Sequence, residues 1–134
     1  MRSLIVEQEK PGEIPDNKPD NQVNPGVSKS ALYEENLEKL RSIHHSHCLF
    51  NREPSIVPGL RFRFADSGVL HGQFNCSDFQ QGYDTMVHGG VIAAIIDASM
   101  AQCLMGHGIV GYTVDLTVKY RKPVIINQLA TLTT

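Results

Sequence analysis

The sequence predicts an α+β fold in which an antiparallel sheet wraps around one long central helix. Residues 91–105 are nearly all apolar or small and contain neither proline nor glycine, which indicates a helix buried on every side. Residues 60–76 have the pattern of a two-stranded hairpin. Residues 112–120 alternate apolar and polar side chains, the strongest period-2 pattern in the chain.

Length and composition restrict the class of protein. A chain of 134 residues is one domain by length. Its net charge of −2 gives no electrostatic reason to expect a nucleic acid or a membrane as partner. Three separate cysteines argue against a disulfide framework and favour a reducing compartment. Since residues 1–10 hold no apolar stretch of signal-peptide length, we expect a cytoplasmic protein.

The first 43 residues divide into a leader and a helix. Residues 1–27 hold four prolines among polar residues, so we expect a flexible leader, followed by the folded domain at 28–134. Residues 28–43 predict a helix on the outside of the domain, capped by Ser28 or Ser30. Its expected packing stripe is Leu32, Leu37, Leu40 and Ile43.

The next segment, residues 44–48 (HHSHC), contains residue types that bind zinc. Adjacent histidines point in different directions in a helix or a strand, and no second ligand group follows at zinc spacing. We therefore expect a loop that packs Cys48 and exposes some of the histidines, and no metal site.

Further strands are expected on both sides of the central helix. Residues 60–64 and 69–76 form the hairpin, with a turn at 66–68. After the helix comes the alternating strand at 112–120, and Pro123 predicts a bend. Residues 124–126 and 129–134 have the pattern of one more strand.

Two features of the central helix point to chemistry. Asp97 lies in mid-helix among apolar residues, where a carboxylate is costly to bury without partners and becomes a better proton acceptor. His88, Gly89 and Gly90 precede the apolar run, and the unsatisfied amides of a helix N-terminus attract an anion or a polarised carbonyl oxygen. Gly106 and Gly108 are expected to end the helix.

The spacing of these two features predicts a dimer. Gly89 and Asp97 are eight residues apart, which is ~12 Å along a helix, so one small reacting group cannot touch both within one chain. If both act, the amides of one chain face the Asp of another, and a two-fold homodimer then makes two equivalent sites at the subunit interface.

Four segments together resemble the hotdog-fold acyl-CoA thioesterases of the PaaI-like branch. They are residues 82–90 (GYDTMVHGG), Asp97, residues 113–120 (TVDLTVKY) and residues 122–124 (KPV). The resemblance implies hydrolysis of an acyl-CoA or related thioester to free acid and thiol, without a cofactor, by a homodimer or a dimer of dimers. The alternative is a non-catalytic acyl-thioester-binding or interaction protein on the same fold.

The resemblance also implies residue roles. The Gly89 amide polarises the thioester carbonyl, with His88 and Gly90 beside it. Asp97 of the opposite subunit is the nucleophile or the general base, and Thr113 positions the water or the Asp. Relatives often carry an Asn at the position of Gly82, and the longer amide of Gln81 is a candidate substitute. Relatives also continue for about two strands after the Pro, so the expected hotdog sheet lacks its last strands here.

Overall fold

The computed structural model describes residues 5–8 and 28–134 and confirms the α+β architecture. The elements are β1 (Ile5–Gln8), α1 (Lys29–His44), β2 (Arg61–Phe64), β3 (Leu70–Asn75), α2 (Gly89–Gly106) and β4 (Leu129–Thr133), with a 3₁₀ turn at Asp78–Gln80. The strands form one antiparallel sheet in the order β1-β4-β3-β2. Strand β1 falls within the predicted leader, whose other residues lie outside the described part of the chain.

The predicted hairpin is present as β2 and β3. Phe64 lies opposite Leu70 in the register, and the turn between them contains Gly68 with a φ of 81°. Phe62 and Phe64 are buried, whereas Arg61 and Arg63 are exposed on the other face. The period-2 pattern of residues 60–64 therefore predicted the buried face correctly.

Helix α2 lies in the core, but not on every side. Ile92, Ile95 and Ile96 are buried beside Phe74 and Leu132 of the sheet, and the polar Ser99 and Gln102 are buried too. A stripe at positions 90, 94, 97, 101 and 104 is only half-buried or is exposed. The expectation of complete burial was wrong because the described residues leave this stripe partly uncovered. By length and composition alone α2 could cross a membrane, although its packing is that of a core helix.

Helix α1 is capped as predicted, but the face that packs against the core is not the predicted stripe. The Ser28 Oγ accepts a hydrogen bond from the Ala31 amide, so Ser28 is the N-cap. Leu37 is buried, and Tyr33 and Leu40 pack beside it. Leu32 and Ile43 are instead exposed. At 100° per residue these two lie roughly 100° around the helix from the packed face.

The histidine-rich segment starts at His44, the last residue of α1, and continues into the following loop. Cys48 is half-buried there, and His44 and His47 are exposed. Within the part of the chain that the structure describes, no three His, Cys, Asp or Glu side chains are close enough together to hold a metal ion.

The predicted strand at 112–120 is not a strand in this structure, so that prediction was wrong. Tyr112 is 90% exposed and Val114 is 98% exposed. Alternation shows which side chains share a face, but a strand also needs a neighbouring strand for its backbone hydrogen bonds, and no described strand pairs with this segment. Residues 124–126 form a short bridge to residues 85–87 instead of a regular strand. Residues 129–133 form β4 as expected.

Candidate active site

One backbone amide at the N-terminus of α2 lacks an acceptor in the part of the chain that the structure describes. The ring Nδ1 of His88, the N-cap residue, accepts from the Gly90 amide at 2.9 Å. The Val91 amide donates to the His88 carbonyl at 3.0 Å. Among the described residues, nothing accepts a hydrogen bond from the Gly89 N–H. Of the predicted group, Gly89 therefore offers its amide to a ligand, whereas the Gly90 amide is already used by His88.

The loop before α2 explains the glycine at position 82. A Cβ on Gly82 would lie 2.9 Å from the Cα of His88, so the backbones approach too closely for a side chain there. Gly82 donates to the Met86 carbonyl at 2.9 Å, and the His88 amide donates to the Gln80 carbonyl at 2.7 Å. These bonds place His88 at the start of the helix.

The buried amide in this loop is Gln80 and not Gln81. Gln80 is 1% exposed, and its Oε1 accepts from the Ser77 amide at 2.9 Å, while Gln81 is exposed. The Nε2 of Gln80 has no partner among the described residues. Nothing in the sequence indicates which of the two adjacent glutamines is buried. The 3₁₀ turn decides which of them points inward.

A residue missed by the sequence analysis holds the first turn of α2. The hydroxyl of Tyr120 donates to the Gly89 carbonyl at 2.8 Å. A Cβ added to Gly89 would lie 3.4 Å from the Tyr120 ring. The alternating pattern had assigned Tyr120 to the apolar side of a strand, and no sequence signal indicated this contact.

Asp97 and Thr113 meet, although 16 positions separate them. The Thr113 hydroxyl donates a short hydrogen bond to Asp97 Oδ1. Asp97 is half-buried on the uncovered stripe of α2, and Thr113 is exposed. The structure thus brings together two of the predicted site residues, with one carboxylate oxygen oriented by a hydroxyl.

Gly89 and Asp97 remain apart within the chain. Both lie on α2, eight residues and ~12 Å apart along its axis. Each chain therefore carries two separate polar features, an amide donor at the helix N-terminus and an oriented carboxylate in mid-helix. The first can stabilise negative charge on an oxygen, and the second can take a proton or attack a carbonyl.

Comparisons with known proteins concern the fold and the second part of the sequence. Residues 85–134 match the model of the thioesterase superfamily, a segment that contains the α2 N-terminus, Asp97 and Thr113. No curated protein matches the chain.

Two solved structures superpose on most of the chain. Thioesterase superfamily member 2 from Mus musculus does so with a TM-score of 0.57 and 17% identity, over 78% of this chain and 72% of that one. A second thioesterase superfamily protein gives a TM-score of 0.56 and 21% identity, over 83% and 68%. The chain thus has the α+β, hotdog-like fold of these thioesterase structures, and residues 85–134 carry the sequence pattern of the thioesterase superfamily.

Proposed function

We propose that this protein hydrolyses acyl-CoA or related thioesters to the free acid and the thiol, as a PaaI-like member of the thioesterase superfamily. The observation that carries the proposal is the Asp97 carboxylate, oriented by Thr113 on the uncovered stripe of α2. The same helix begins with the Gly89 amide, which has no acceptor among the described residues.

The chemistry follows from these two groups. The Gly89 N–H donates to the thioester carbonyl oxygen and stabilises the negative charge that develops there. Asp97 then either removes a proton from an attacking water or attacks the carbonyl itself. In both routes water supplies the hydroxyl of the acid and the proton of the thiol. His88 positions the donor group, because its ring nitrogen accepts the hydrogen bond of the Gly90 amide and the Gly89 amide is left for the substrate.

A two-fold homodimer would complete the site, with Gly89 of one chain facing Asp97 of the other. The surface around the uncovered stripe supports this arrangement, because it exposes large apolar side chains. They are Met86, Leu104, Ile109, Val110, Tyr112 and Val114. A second copy on this surface would cover them and would supply the missing half of each site. Two such dimers could associate further as a tetramer.

The first experiment is thiol release from short, medium, long and aromatic acyl-CoAs. We expect Asp97→Asn to lower kcat by roughly 10²- to 10⁴-fold, the usual contribution of general acid–base catalysis. Asp115→Asn is the matched control, since Asp115 is an exposed acid on the neighbouring segment. Full activity of Asp97→Asn would rule out the mechanism. Binding of CoA esters without turnover, in a folded dimer, would favour the non-catalytic alternative.

A second pair of variants tests the amide donor. Proline is favoured at the first helical position and removes only the N–H, and His88 already has the extended backbone that precedes proline (φ −60°, ψ 130°). Gly89→Pro should therefore fold and lose activity, whereas Gly89→Ala keeps the N–H and most of the activity. The proposed donor is wrong if the two variants behave alike.

Subunit mixing tests the shared site. Gly89→Pro and Asp97→Asn chains are each inactive alone. In a hybrid dimer one site combines the intact Gly89 of one chain with the intact Asp97 of the other. Equal mixing with free exchange should restore about a quarter of the wild-type rate, because half of the dimers are hybrids with one working site in two. No recovery despite demonstrated exchange would place both groups in one chain.

A further inference from the structure

A cavity lined by arginines lies on another side of the molecule. It has a volume of about 210 Å³ and lies between α1, the loop after α1 and the outer edge of β2. Arg41, Arg61 and Arg63 line it, with Glu34 as the one acidic residue of the lining. A water molecule occupies ~30 Å³ of liquid, so the cavity has room for an ion of several heavy atoms.

Arg41 is held in place without a carboxylate. Its Nε and Nη2 donate to the Gln102 Oε1 at 3.1 and 2.7 Å, and Gln102 is 1% exposed. The Gln102 amide in turn donates to Asn51 Oδ1 at 3.4 Å. Burial lowers the pKa of Arg41, although the nearby carboxylates of Glu34 and Glu38 act in the opposite direction. A guanidinium that is fixed, partly desolvated and bonded, among the described residues, only to a neutral amide is a ready partner for an anion.

The edge of β2 adds polar groups to the same cavity. The backbone N–H and C=O of Leu70 both bond to Thr134, on the β4 side of β3. Leu70 and its partner Phe64 on β2 are therefore a non-hydrogen-bonded pair, and the N–H and C=O of Phe64 point away from β3. Phe62, two residues away, likewise directs its N–H and C=O to the outer edge. There the Arg63 Nη1 donates to the Phe62 carbonyl at 3.4 Å, which places this guanidinium at the cavity.

We propose that this cavity binds a diphosphate group. Three arginines and one glutamate line it, in a chain whose net charge is −2, so the positive charge is local to the cavity. Arginine donors suit the several oxygens of a diphosphate. Glu34 is already used by the Phe64 amide, which donates to its Oε1 at 2.8 Å.

The cavity is separate from the candidate active site. Gln102, which bonds to Arg41, is five positions after Asp97 on α2. At 100° per residue the two side chains therefore leave the helix in directions roughly 140° apart. The proposal therefore stands whether or not the chain hydrolyses thioesters.

Calorimetric titration of the full chain with sodium diphosphate tests the proposal. Arg61→Gln/Arg63→Gln should weaken saturable binding by at least about tenfold, since each removes a charge-assisted contact. Lys29→Gln/Lys39→Gln is the matched control, because it removes the same charge from two exposed positions on α1 that do not line the cavity. Glu34→Gln should strengthen binding, because it removes the opposing charge and keeps an oxygen acceptor for Phe64.

Parallel titrations with ADP and with CoA distinguish a free nucleotide from a CoA-bearing molecule as the source of the diphosphate. The proposal is overturned if diphosphate does not bind saturably at millimolar concentration, if both double variants lose affinity equally, or if Glu34→Gln has no effect. Arg41 is left unchanged in these variants because its bonds to Gln102 also support the packing of α1 on α2.

Discussion

The hydrogen bond from Thr113 to Asp97 gives the sharpest prediction for the candidate site. Thr113→Val keeps the shape of the side chain and removes the hydroxyl, so Asp97 loses the donor that orients it. A hydrogen bond to a charged group contributes about 1.5–3 kcal/mol. If the whole of that contribution acts in the transition state, kcat falls by roughly 10- to 150-fold at 1.36 kcal/mol per factor of ten. We expect KM to change far less, because Thr113 positions the carboxylate rather than the substrate.

The assay is steady-state thiol release with the best substrate from the acyl-CoA panel. Thr113→Ser retains the hydroxyl and should restore most of the rate. Thr117→Val is the matched control, because Thr117 is another exposed threonine on the same segment, and its side chain makes no hydrogen bond within the described part of the chain. Circular dichroism and gel filtration confirm that each variant is folded and keeps its oligomeric state. Unchanged kcat in Thr113→Val, or an equal loss in Thr117→Val, would refute the reasoning.

Three further predictions concern stability. Gly106→Ala places a Cβ 2.1 Å from the Cζ of buried Phe64, so we expect the free energy of unfolding, measured by urea denaturation, to fall by about 1–3 kcal/mol. In a double-mutant cycle, Phe64→Leu should relieve part of this loss. A gain in stability would contradict the overlap. Leu70→Ala truncates a side chain that is 1% exposed and leaves a cavity, so the free energy of unfolding in the same assay should fall by about 2–5 kcal/mol. A loss well below this range would show that the core collapses into the cavity. The bond from the Ser30 amide lowers the pKa of Asp66 below 3.8, so its contribution is present above that value and is lost as the pH falls through the folded-state pKa. Wild type should therefore be more stable than Asp66→Asn at neutral pH, with the difference shrinking on acidification, and a difference independent of pH would contradict the assignment.

Much of the fold followed from local patterns. The apolar run that became α2, the hairpin of β2 and β3 and the strand β4 were predicted close to their observed limits. Ser28 was one of two proposed caps, and Gly106 ends α2 as expected. Each of these depends on periodicity or on a terminal residue type, and both act over a few neighbouring positions.

The candidate site was only partly predictable. The sequence singled out His88, Gly89 and Asp97 because a helix N-terminus and a mid-helix carboxylate are visible in one stretch of residues. It did not show that the His88 ring would occupy the Gly90 amide, or that Tyr120 would contact Gly89. Those contacts depend on how a loop and a distant segment pack against the helix.

The sequence by itself predicted helices α1 and α2 and strands β2, β3 and β4, and it showed which side chains of each segment share a face. Only the tertiary structure decided what covers each face. Residues 112–120 alternate like a strand but pair with no described strand, and α2 keeps a partly uncovered stripe around Asp97. The physical reason is that periodicity is a property of one segment, whereas burial and strand pairing require a second surface.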